Sequence, residues 1–155
     1  MASQDQSQNS GYIAMQNIIH AIRNSIYVAE ICKVVKYDKK KHIADVLPLA
    51  NSSNGENSPQ LLDVPVSKNC YQVDELIAAI KDDFNKIDIF QTEKGKKIGS
   101  SLIKHIPKKV MKKGAIVIAL IVDNDTDNWT GSNATFTPET NRMHDINDAI
   151  IVGVI

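Results

Sequence analysis

The sequence predicts a mainly β domain, a small antiparallel barrel of five strands with an N-terminal helix and an inserted helical segment. Three observations point there. Two β-rich runs, IYVAEICKVVKY and HIADVLPLA, flank the turn DKKK; a helical pattern follows the third extended segment; and two apolar strands, GAIVIALIVD and DAIIVGVI, lie in the last 42 of 155 residues. Strand runs with turn chemistry between them and one helix among them suit a single layered β domain.

Residues 1–11 are rich in Ser, Gln and Asn, a composition that buries too little apolar surface to offset ordering entropy, so a flexible tail is expected there. From Tyr12 the pattern changes. Tyr12, Met15, Ile19, Ile22 and Ile26 recur at spacings of three and four, with Ile18 widening the stripe, which predicts an amphipathic helix over residues 12–26. Met15, Ile19, Ile22 and Ile26 are candidate contacts to a partner or to further copies of the chain, although a stripe this short leaves packing on its own domain open.

Ile43, Val46 and Leu49 alternate in the second strand of the hairpin, and NSSNGENSPQ, residues 51–60, is a turn-rich loop. LLDVPVS is the third strand, in which Pro65 cannot donate to a ladder and so belongs at an edge. Val73, Leu76, Ile77, Ile80 and Phe84 fall at helical spacing, and Asp74 and Glu75 sit in the first turn, where acids oppose the helix dipole favourably. Residues 87–114 mix short apolar runs with Gly and Pro and fit strand, loop or short helix. A helix between the third and fourth strands of a five-stranded barrel is the arrangement of the OB type. The barrel is expected over residues 27–155, with an insertion at about 71–109.

Composition narrows the function classes. Lys plus Arg and Asp plus Glu number 18 each, so any electrostatic case rests on local clusters. Cys32 and Cys70 form no CxxC motif, and a buried thiol is the ordinary reading of Cys32. The N-terminus lacks the basic and apolar regions of a signal peptide, and no apolar run approaches the roughly 18 residues of a membrane span. A soluble protein made in the cytoplasm, without stable membrane anchoring, is expected.

Asp123, Asp125 and Asp127 alternate in DNDTDN as calcium ligands would, but the sixth and twelfth positions of such a loop are Asn128 and Ala134, where Gly and a bidentate acid are needed. Asp and Asn side chains capping a tight turn are the simpler account. His144, beside Asp145 and near Arg142, has the composition of a general base with its orienting carboxylate, yet no Ser or Cys sits in a nucleophile motif. The alternative is a structural corner: Arg142 forks onto Asp148 or Asp127, and His144 bonds backbone at the loop-to-strand joint. Trp129 is read as a lid over the core or a subunit contact.

Lys94, Lys96, Lys97, Lys104, Lys108, Lys109, Lys112 and Lys113 form a basic cluster of the kind that binds nucleic acid. No Phe, Tyr or Trp lies between Lys94 and Gly114 to stack bases, so a solvated lysine face is the plainer reading and nucleic-acid binding the competing one.

In order, VVKYDKKKHIADVLPL, LLDVPV, a strand ending in DNDTDNW, and RMHDINDAIIVGVI resemble the N-terminal OB-fold domain of phage baseplate or tail central spike proteins. The resemblance covers about residues 15–155 apart from 71–109. It rests on Tyr37, Asp38, Asp45, Val46, Pro48, Leu49, Asp63, Pro65, Val66, Asp123, Asp127, Trp129, Arg142, His144, Asp145, Asp148 and Ala149. It implies a structural virion or phage-tail-like particle protein rather than an enzyme, without cofactor or metal. A homotrimer closing the tail tube and aiding envelope penetration, in contact with hub and tube proteins, is the implied assembly. Spikes of this family continue into a β-helical needle, whereas this sequence ends at Ile155, so a separate tip protein, or a role as a baseplate assembly adaptor, is expected.

Overall fold

The computed structural model describes residues 2–51, 55–93 and 102–155. Its elements are α1 (Ala2–Ser25), β1 (Ala29–Asp38), β2 (Ile43–Pro48), β3 (Leu61–Pro65), α2 (Gln72–Glu93), β4 (Ile116–Ile121) and β5 (Ala149–Val154). The five strands form one antiparallel, mainly β, OB-like sheet in the order β3-β2-β1-β4-β5. Beyond β3, Val66 makes a parallel bridge to Ile151, and the Ser67 amide donates to the Ile151 carbonyl at 2.8 Å, so the two ends of the order meet as in a curling barrel.

The chain divides into two compact units, Ile31–Ala119 with Ile150–Ile155, and Met1–Glu30 with Leu120–Ala149. The first holds the sheet core. Cys32, Val34, Ala44, Val46, Val117, Ala119 and Ile151 are buried there, which matches the inward positions of alternating strands. Both cysteines are buried, and neither is in a disulfide.

The β1–β2 hairpin closes as its sequence predicts. Asp38 Oδ1 accepts the Lys40 and Lys41 amides at 2.8 and 3.1 Å, an Asx turn that fixes the register Asp38↔Ile43. Those two bonds hold the Asp38 carboxyl below its ordinary value. Farther along, the β2–β3 register jumps from Ala44↔Val64 to Val46↔Leu61, which leaves an extra residue on β3. Asp63 takes up the bulge in the left-handed region, φ 52°, and its amide donates to Asp45 Oδ1 at 3.0 Å. Pro65 pairs with Ile43 at the end of the sheet order, where a missing N–H is tolerated. Pro48 is buried opposite Cys32.

The insertion is better organised than its mixed sequence suggests. α2 runs to Glu93, and two of its carboxylates hold the returning chain: Asp74 accepts the Val110 and Met111 amides at 3.0 Å, while Asp88 accepts those of Leu102 and Ile103 at 2.9 and 3.1 Å. Asp74 was expected to serve the helix dipole; its carboxylate is committed to backbone donors of the return segment as well. Lys94, Lys96 and Lys97 of the basic cluster lie outside the described residues.

In the second unit, α1 is longer than the predicted helix. It begins at Ala2, so the tail expected over residues 1–11 is helical from that point, and it ends at Ser25, one residue before Ile26. Once a stripe such as Tyr12 to Ile22 has nucleated a helix, extension through polar residues costs little per residue. No helix among the described residues is long and apolar enough to cross a membrane.

Candidate functional site

The most densely bonded polar cluster among the described residues lies between β4 and β5. β4 delivers the chain into the turn that begins at Asp123, and the Val122 amide donates to the Asp148 carbonyl at 2.9 Å, which brings the far end of the loop back beside its start. Asp125 is fully buried. Its Oδ1 accepts the Asp127 amide at 2.9 Å, and its Oδ2 accepts the Thr140 amide and hydroxyl at 3.0 and 2.6 Å. The Thr140 hydroxyl is the largest contributor to holding this carboxyl below its ordinary value, with the Asp127 and Thr140 amides and Arg142 adding to it.

Arg142 joins three acids. Its Nε and Nη2 fork onto Asp148 Oδ2 and Oδ1 at 2.8 and 2.9 Å; Nη1 and Nη2 reach Asp127 at 3.0 and 2.9 Å; and Nη2 lies 3.1 Å from Asp125 Oδ1. Of the two partners expected for Arg142, the fold supplies both. Asp148 is fully buried and also accepts the Thr126 amide and hydroxyl at 2.8 and 3.0 Å. Burial alone would push its carboxyl up, but the Arg142 fork and the Thr126 donors outweigh it and leave the group below its ordinary value. The same partners, Asp148 first and then Asp127, drive Arg142 further up, so it is a permanent cation.

Carboxylate oxygens of Asp125, Asp127 and Asp148 lie within 4.8 Å of one another, close enough for a cation, and this set differs from the Asp123, Asp125, Asp127 alternation seen in the sequence. The guanidinium supplies the positive charge that a metal would bring. With both oxygens of Asp125 and of Asp148 already engaged by amides, hydroxyls and Arg142, a hard cation would have to displace bonds to bind.

His144 does not behave as the sequence suggests. Its ring Nε2 lies 3.0 Å from Asp123 Oδ1, an ion-pair distance, rather than on a backbone carbonyl. Its backbone sits in the left-handed region, φ 52°, and its carbonyl accepts the Tyr27 amide at 3.4 Å. Asp145 turns instead to the Asn147 amide and side chain at 2.9 and 2.8 Å, so the adjacent His144 and Asp145 form no dyad. Burial pushes the Cys70 thiol up, away from thiolate chemistry. Trp129 is half-buried and donates from its indole to the Ser132 carbonyl at 3.2 Å within its own loop. The Asn128 side chain bonds the Thr137 carbonyl, another tie across the same loop.

Asp45 and Asp63 meet in the β2–β3 bulge, while Met15, Ile19, Ile22 and Ile26 lie along or just past α1. The sequence marks neither Thr126 nor Thr140: Thr126 interrupts the acidic turn, and Thr140 lies in PETNR, 15 residues from the carboxylate it bonds. The chain matches no protein-family model, and no curated protein is significantly similar to it.

Proposed function

We propose that this chain is a structural subunit of a phage or phage-tail-like particle, a central spike or baseplate-hub protein that assembles as a homotrimer, closes the tail tube and aids envelope penetration. The ordered motifs support this reading. So does the polar corner, whose acids hold Arg142, a backbone loop and two threonines and leave no free nucleophile or open ligand set there for chemistry.

The observation that carries the reading is the apolar face of α1. Tyr12, Met15, Ile18 and Ile22 are each more than half exposed in the single chain, a density of large apolar side chains that a soluble protein covers by association. Ile19 and Ile22 stand at spacings that correspond to positions a and d of a heptad, and isoleucine at both positions favours three or four strands over two. The stripe carries no charge, so parallel copies meet no repulsion along it. Hub and tube proteins are the heterologous partners on this reading.

Cryo-electron microscopy of particles that contain the protein tests it. Density on the tail axis should accommodate three copies, and particles made with Ile22→Asp should lack it. Axial density in which this fold has no place would overturn the assignment.

A further inference from the structure

No aromatic residue interrupts the basic cluster in the sequence, but the fold brings aromatics to part of it from elsewhere. A cleft of about 220 Å³ in the sheet-bearing unit is lined by Tyr37 of β1, Tyr71 just before α2, Lys39 of the hairpin turn, and Lys109, Lys112 and Lys113 of the segment leading to β4. We propose that this cleft binds a phosphate ester, with a volume suited to about one nucleotide unit.

The four lysines are exposed, and none forms an ion pair with a described carboxylate. The cleft also contains two acids, Asp74 and Glu75, so the four lysines outnumber the carboxylates and leave an excess of positive charge. Asp74 is buried with its oxygens on the Val110 and Met111 amides, and Glu75 faces His42 at 3.8 Å. Four lysines lining one concavity that holds two carboxylates give it a net positive potential, which attracts a multiply charged anion.

The aromatic side completes the case for an ester over a bare anion. Tyr71 stacks on His42 with ring centroids 3.9 Å apart and planes 8° from parallel, which holds it in a fixed orientation at the cleft wall. The Tyr37 phenol stays protonated, its value pushed up to about 12 chiefly by burial, so it adds no negative charge. Fixed aromatic surface beside lysines is the combination that single-strand sites use, stacking for the organic part and ammonium groups for the phosphate. This goes beyond the structural role proposed above and does not depend on it.

The test is fluorescence anisotropy of the full chain with a labelled oligothymidylate of about ten nucleotides at about 50 mM salt. Saturable binding is expected, weakened about tenfold or more when Lys109→Gln, Lys112→Gln and Lys113→Gln are combined, with a shallower salt dependence. Lys81→Gln with Lys108→Gln, in a neighbouring cleft, should bind as the parent does. Competition distinguishes the source: uridine monophosphate displacing the probe better than glycerol phosphate assigns a nucleotide, and equal displacement assigns the phosphate ester alone. Absence of saturable binding, or equal loss in both sets of variants, would overturn the proposal.

Discussion

The corner at Arg142 and the cleft at Tyr37 both gather charged side chains, yet they differ in what those charges have left to do. At the corner one guanidinium meets three carboxylates, and the buried acids are further satisfied by two threonines and by backbone amides. At the cleft four lysines stand without described partners. Charge density alone would rank the corner as the reactive site. Accounting for every donor and acceptor reverses the order, because a group already satisfied in the folded chain must lose bonds before it can gain a ligand.

The largest effect that would break this contrast is expected at Asp148. Asp148→Ala leaves Arg142 and the Thr126 donors without their acceptor and should destabilise the fold by about 3–5 kcal/mol in urea denaturation. Arg142→Ala should cost less, roughly 2–4 kcal/mol, since its side chain is 28% exposed and solvent screens part of the interaction. A loss below about 0.5 kcal/mol in either variant would mean that the corner does not hold the loop.

Acid should sharpen the same point. Asp125 and Asp148 titrate below the ordinary 3.8 in the folded chain, so the unfolded chain takes up their protons first as pH falls. Their stabilisation is therefore present above about pH 4 and disappears as pH drops through the folded values. The stability gap between the parent protein and Arg142→Gln should be constant from pH 7 to 5 and narrow below about pH 4. A gap that stays constant to pH 2 would contradict the assigned pairing.

Smaller effects mark the other side of the comparison. The combined lysine substitutions that weaken phosphate-ester binding should change stability by no more than about 0.5 kcal/mol, as befits exposed groups with no described ion-pair partner. Asp63→Gly should be neutral or stabilise by less than about 1 kcal/mol, because glycine adopts the left-handed backbone at this exposed bulge without a Cβ penalty. Thermal melts of both variants check these values.

What could be read in the sequence was local. Strand alternation and the DKKK turn placed the hairpin, length and β-branched content placed β4, and the Arg142 fork followed from the acids within reach of it. What escaped was set by distance along the chain. Asp74 bonds amides 36 and 37 residues away, and Tyr37 shares a cleft with Lys113 only because β1 and the approach to β4 are neighbours in the sheet. The His144 pairing with Asp123 likewise joins opposite ends of a loop, while the pattern favoured a backbone partner at the loop-to-strand joint. The first turns of α1 lack an apolar stripe, so periodicity had nothing to register there.

The proposed assembly is one in which copies of the chain cover the α1 stripe. Size-exclusion chromatography with light scattering at micromolar concentration addresses it most directly. The account predicts a mass three times the 17.1 kDa of one chain, falling to a single chain's mass in Ile22→Asp without loss of the folded β signal. A monomeric parent protein would contradict it.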